Sequence, residues 1–108
     1  MSAIGEALDA LTARIVARRG EDTNTSYTAK LIGTGRELCA KKVGEEAVET
    51  ALAGALGQKA ELVAESADLL YHLAVLLESN DLSFEEVATE LNRRAGVSGI
   101  TEKANRQS

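Results

Sequence analysis

An all-α fold follows from three features of this 108-residue sequence: it has no proline, it is rich in Ala, Leu and Glu, and no alternating polar–apolar run is bounded by turn residues. The segments form a four- to five-helix bundle. The first helix runs from about Ser2 to Arg18, with Ile4, Leu8, Leu11 and Ile15 on one stripe, and ends in the basic Arg18-Arg19 pair followed by Gly20. A polar loop over 21–26 follows. Tyr27 to Ile32 is long enough for a helical turn, which Gly33-Thr34-Gly35 then breaks. A long helix spans about Arg36 to Leu56 and stops at Gly57, and the next spans about Lys59 to Glu78. Ser79-Asn80-Asp81 makes a turn, and Ser83 with Glu86 three residues on is a capping-box signature for a last helix reaching Arg94. These elements make one domain over 1–95. The tail over 96–108 is polar, carries Gly96 and Gly99, and is expected to be loosely ordered.

Charge and composition exclude several function classes. The net charge is −5 and the pI about 4.9. No basic stripe with interleaved aromatics exists, so nucleic acid is not an expected partner. No apolar run approaches the ~20 residues of a membrane span, and no basic-then-apolar leader opens the chain. Cys39 is the single cysteine and reads as an inert small hydrophobe in a reducing compartment. A cytoplasmic protein is expected.

The chemistry gathers in the two long helices. Residues 67–77 are nearly all apolar, yet they include Asp68. A helix apolar on every side is normally buried, and an ionised carboxylate buried with it costs several kcal/mol unless paired or bound to a metal. On the preceding helix, Glu45, Glu46 and Glu49 share a stripe with Leu38, Leu52 and Leu56, where a solvated charged face would segregate from them. Glu65 and Asp68 fall on a similar stripe of the second helix. A tight turn at Gly57-Gln58 makes the two helices antiparallel neighbours, so Glu46-x-x-Glu49 and Glu65-x-x-Asp68 are expected to converge.

Converging carboxylates repel unless a cation lies between them, and oxygen-only ligation selects a hard ion, Mg²⁺ or Mn²⁺. Such an ion can supply an activated water while a free carboxylate serves as general base. Glu-x-x-Glu pairs are common on helix surfaces, so the reading rests on both helices together. His72, one turn after Asp68, reads as a hydrogen-bonded residue behind the ligands rather than as a ligand. Lys30, Lys41 and Lys42 flank the glycine segment, and backbone N–H groups with lysines nearby suit phosphate oxygens. That pattern is not specific, because Gly-Thr-Gly here matches no phosphate-loop motif and no strand precedes it.

Three stretches carry a resemblance: Ser26 to Leu31, Ala40-Lys41-Lys42-Val43-Gly44-Glu45-Glu46-Ala47-Val48-Glu49, and Glu65-Ser66-Ala67-Asp68-Leu69-Leu70-Tyr71-His72-Leu73. Together they resemble the phosphoribosyl-ATP pyrophosphatase family of histidine biosynthesis, within the wider all-α nucleotide pyrophosphatases. The likeness extends over nearly the whole chain up to Arg94. It implies hydrolysis of 1-(5-phosphoribosyl)-ATP to 1-(5-phosphoribosyl)-AMP and diphosphate. It also implies Mg²⁺ held by Glu46, Glu49, Glu65 and Asp68, with Glu45 as an extra ligand, a base or a supporting acid. Lys30, Lys41 and Lys42 would hold phosphates, and Ser26, Tyr27 and Thr28 would shape the pocket rim. A homodimer or higher homo-oligomer, formed through helix packing, is implied as well.

Two other readings compete. A housekeeping pyrophosphatase of free nucleoside triphosphates would share the four acids but not the two lysine-bearing blocks. A non-catalytic helical dimerisation module would show no cation-dependent stabilisation.

Overall fold

A computed structural model describes residues 2–95, so the 96–108 tail lies outside the described residues. The chain forms α1 (Ala3–Arg18), α2 (Tyr27–Thr34), α3 (Arg36–Ala55), α4 (Lys59–Ser79) and α5 (Phe84–Arg94), and the fold is all-α. No helix among the described residues is long and apolar enough to cross a membrane.

Serine caps set the starts of α1, α2 and α5. Ser2 Oγ accepts from Gly5 N, Ser26 Oγ accepts from Ala29 N, and Ser83 forms the full capping box with Glu86. One boundary differs from expectation. Gly33 and Thr34 stay helical, and the break falls at Gly35, whose φ of 124° is open to glycine at little cost. Gly57 (φ 70°) ends α3 in a Schellman turn, with Gln58 N bonded to Ala53 O and Gly57 N to Gly54 O. The same motif ends α4, but there Asp81 takes the left-handed position at φ 60°. Its carboxylate meets Arg19 from the end of α1 at 3.2 Å, and Glu78 meets the same guanidinium at 3.0 Å.

The antiparallel α3–α4 hairpin is the spine, and the smaller helices cover only part of it. The core consists of Ile15, Leu31, Cys39, Ala74 and Val75, flanked by Leu11, Ile32, Leu38, Tyr71, Leu76 and Phe84. The members of this cluster on the hairpin come from the first half of α3 and the second half of α4, and Ala53 near the end of α3 is buried apart from them. Cys39 is buried, its thiol donates to Leu31 O, and burial pushes its pKa up, as expected of a packing residue.

The other half of the hairpin exposes most of its large apolar side chains. Val48, Leu52 and Leu56 of α3 and Val63 of α4 are all more than half exposed. This explains a departure from the sequence expectation. The apolar run of α4 is not buried all round, and Asp68 is exposed in the single chain.

Candidate active site

Glu46, Glu49 and Glu65 each bring a carboxylate oxygen within 4.8 Å of the others, and they are the only such acidic group of three or more among the described residues. Their convergence follows from the hairpin. Glu46 and Glu49 are three residues apart on α3, and Glu65 sits at matching height on antiparallel α4. Glu46 and Glu65 are half-buried, whereas Glu49 is exposed.

The electrostatics of this group are compatible with a cation. Glu46 Oε2 and Glu65 Oε2 are buried and have no hydrogen-bond donor. Carboxylate oxygens offer each other none, so a shared proton or a bound cation is needed to relieve the contact. Glu65 accordingly has its pKa raised to about 7, chiefly by its approach to Glu49, then by desolvation and the charge of Glu46. Orphaned buried oxygens and an all-oxygen donor set fit a hard divalent ion.

The other expected site acids stand apart. Asp68 is outside the group of three. It lies one turn beyond Glu65 and is exposed in the single chain. Glu45 is occupied by lysines, bonding Lys42 Nζ at 3.1 Å and meeting Lys41 Nζ at 4.0 Å. The Lys42 pKa is raised by that bond to Glu45, and the fields of Tyr27, Glu45 and Glu46 add to it, which places Lys42 at the edge of the acid group. Lys41 is largely solvent-facing. The glycine segment does not join the site. Along α3 the helix start at Arg36 stands about 15 Å from Glu46, beside Asn80 at the far end of α4, to which Arg36 donates.

His72 is buried and bridges α2 and α4. Its Nδ1–H donates to the Asp68 carbonyl (2.9 Å), so in the neutral ring Nε2 is left to accept from the Tyr27 hydroxyl (3.3 Å). Tyr27 stacks on Tyr71 at 6.3 Å between centroids, and Tyr71 OH shares a 2.5 Å hydrogen bond with Thr28 Oγ1. This network ties α2 to α4. It also places the expected rim residues differently from one another. Tyr27 is half exposed, Ser26 is buried as a helix cap, and Thr28 faces Tyr71 in the interior.

A polar cavity of about 410 Å³ opens beside Tyr27, lined by Thr23, Asn24, Thr25, Ser26, Tyr27 and Lys30. The first three residues were legible only as a polar loop. The available signal was Asp22-Thr23-Asn24, in which Asp22 Oδ1 accepts from Asn24 N at 2.8 Å and so shapes the turn.

Comparison with known proteins agrees with this geometry. The family model for phosphoribosyl-ATP pyrophosphohydrolase matches residues 8–95. The chain is 54% identical to the phosphoribosyl-ATP pyrophosphatase of Rhodobacter capsulatus, over 93% of this chain and 97% of the relative. It is 52% identical to that of Dinoroseobacter shibae, over 89% and 94%, and 50% identical to that of Parvibaculum lavamentivorans, over 98% and 97%. The three converging acids lie within the matched span, as do Lys42, Tyr27 and His72 around them. On this evidence the chain belongs to the phosphoribosyl-ATP pyrophosphohydrolase family.

Proposed function

We propose that this protein hydrolyses 1-(5-phosphoribosyl)-ATP to 1-(5-phosphoribosyl)-AMP and diphosphate, the second step of histidine biosynthesis, in the cytoplasm. The observation that carries the reading is the meeting of Glu46, Glu49 and Glu65 with two buried oxygens that find no donor, in a chain of this family.

Glu46, Glu49 and Glu65 hold a divalent cation, Mg²⁺ or in its place Mn²⁺, and Asp68 joins as a fourth acid from the exposed flank. When bound, that cation supplies charge neutralisation at the phosphoanhydride and makes a nearby water more acidic. The chain's own residues do the remainder. Glu49, the most exposed of the three converging acids, is the acid best able to take a proton from water arriving from solvent. Lys42 sits beside Glu46 and offers a positive charge to a phosphate oxygen, which helps an acidic protein accept a polyanion. Lys30 and Lys41 hold phosphates from the edges. Glu45 keeps Lys42 in place. Tyr27, fixed through His72, lines the polar cavity.

We also propose a homodimer that covers this more exposed half of the hairpin. The exposed Val48, Leu52, Leu56 and Val63, with Ala60, Ala64 and Ala67 beside them, form an apolar face that a second copy would bury.

The test is incubation of the purified protein with phosphoribosyl-ATP and Mg²⁺ while diphosphate is measured. Stoichiometric diphosphate and phosphoribosyl-AMP are expected. Orthophosphate release, or faster cleavage of plain ATP, would overturn the assignment.

A further inference from the structure

Tyr27 and His72 form a hydrogen-bonded chain whose direction is fixed from one end. The Asp68 carbonyl carries no proton, so the 2.9 Å contact makes His72 Nδ1 the donor and leaves Nε2 of the neutral ring as an acceptor. Tyr27 therefore gives its hydroxyl proton to Nε2, at 3.3 Å, and the phenol oxygen keeps its lone pairs for a donor from elsewhere. No second bond to that oxygen is made among the described residues. The phenol is held in place one residue on, where Thr28 Oγ1 and Tyr71 OH share a 2.5 Å hydrogen bond. The Tyr71 ring also meets the imidazole edge-on at 4.9 Å, which fixes the plane of His72.

The helical period brings Lys42 to the same point. Glu49 and Glu65 meet across the α3–α4 seam. Lys42 lies seven residues before Glu49 and His72 seven after Glu65. On antiparallel helices both are thus two turns from the meeting acids, about 10 Å along the hairpin, at equal height and on the same helical lines. The Lys42 pKa is raised first by the bond to Glu45 and next by Tyr27, as a phenol close to the ammonium would do. Glu45 Oε2 accepts one of the three Nζ protons, at 3.1 Å. We propose that Tyr27 is a positioning residue for Lys42: His72 holds the phenol proton, so the phenol oxygen accepts from the ammonium and keeps it aimed at the seam. With the opposite tautomer, Nε2–H would donate to the phenol, whose own proton would then turn toward Lys42 and repel it. Glu45, on the same helix as Lys42, draws the ammonium along α3, and Tyr27 draws it toward α4. This role rests on the assignment of Lys42 to a substrate phosphate made above.

His72 is the only histidine of the chain, so its two ring nitrogens give an unambiguous nitrogen-15 NMR spectrum. In the full chain without divalent ion, in buffer basic enough to keep the ring neutral, the Nδ1–H tautomer is expected. Tyr27→Phe should shift the Nε2 resonance and speed exchange of the Lys42 ammonium protons with water at least threefold. His72→Phe should do the same to Lys42, and His72→Gln, whose amide oxygen still accepts a proton, should restore it. In turnover, Tyr27→Phe should lower kcat/KM for phosphoribosyl-ATP about tenfold, but less than twofold in a Lys42→Met background, because it acts through that lysine. An Nε2–H tautomer, an unmoved Lys42 signal in Tyr27→Phe, or a full tenfold loss on top of Lys42→Met would each overturn the proposal. Failure of the wild type to cleave phosphoribosyl-ATP would instead sink the substrate reading, and the tautomer and the Lys42 signal would still decide the positioning role. Tyr27 is half exposed and the variant loses a single oxygen, so unchanged circular dichroism separates lost positioning from lost fold.

Discussion

The two halves of the α3–α4 hairpin are made from the same helices and obey opposite rules. At one half, Cys39, Ala74 and Val75 are almost completely buried against Ile15 and Leu31 of α1 and α2. At the other, leucine and valine side chains face solvent while two carboxylate oxygens sit buried without donors. The first half lowers the free energy of the isolated chain. The second half raises it, and the cation and second copy proposed above would relieve it. A single chain thus keeps its stability and its chemistry at separate ends, and perturbations at the two ends should read out differently.

The largest effect is expected at the acid end. Glu49→Gln or Glu65→Gln should cut diphosphate release by about 10³-fold or more, since each removes a carboxylate proposed to hold the cation, while the helical circular dichroism stays as in the wild type. Asp68→Asn, on the exposed flank, should raise the metal concentration needed for activity and cost less than either change. Equal losses at Asp68 and Glu49 would mean that the exposed flank and the seam share one site in the working protein.

The core end should give the mirror image. Leu31→Ala is expected to cost about 2–5 kcal/mol of stability, read from urea unfolding, with cation affinity unchanged. Loss of cation binding in that variant would show that the two ends are coupled.

Smaller effects should appear in melting temperature. Adding Mg²⁺ should raise it by a few degrees in the wild type, because an ion that binds only the folded chain stabilises it. Glu65→Gln should melt higher than wild type without metal and lose most of the response to metal. The smallest effect is the pH profile. Glu65 titrates at about 7 when folded against an ordinary 4.5, so the folded chain holds the extra proton between those values. This group's contribution to stability therefore falls as pH rises through that window, and added cation should flatten the slope by displacing the proton. Glu90, lowered to about 2 by its bonds to Arg93 and Arg94, works the other way, and its contribution is lost only as pH drops below about 4.5.

Much of this was legible in the sequence. The hairpin and the pairing of Glu46 and Glu49 with Glu65 follow from helical period and one glycine turn, because spacing alone fixes angle and height on two antiparallel helices. The Ser83–Glu86 box was equally plain. Asp68 was not, because an apolar run on all sides signals burial without saying whether the covering surface belongs to the same chain. Thr28 and Tyr27 are adjacent in sequence and yet point to the interior and to the cavity edge, a division made by Tyr71 and His72 on another helix. The cavity at 23–30 depends on where Asp22 sends its carboxylate, which composition does not reveal.

The most direct test of the central claim is Mn²⁺ titration followed by electron paramagnetic resonance, on the wild type and on Glu46→Gln, Glu49→Gln and Glu65→Gln. Saturable binding by the wild type, weakened at least tenfold in every variant, is the result expected if the hairpin acids hold the ion. Equal binding by all four proteins, or no saturable binding by the wild type, would contradict it.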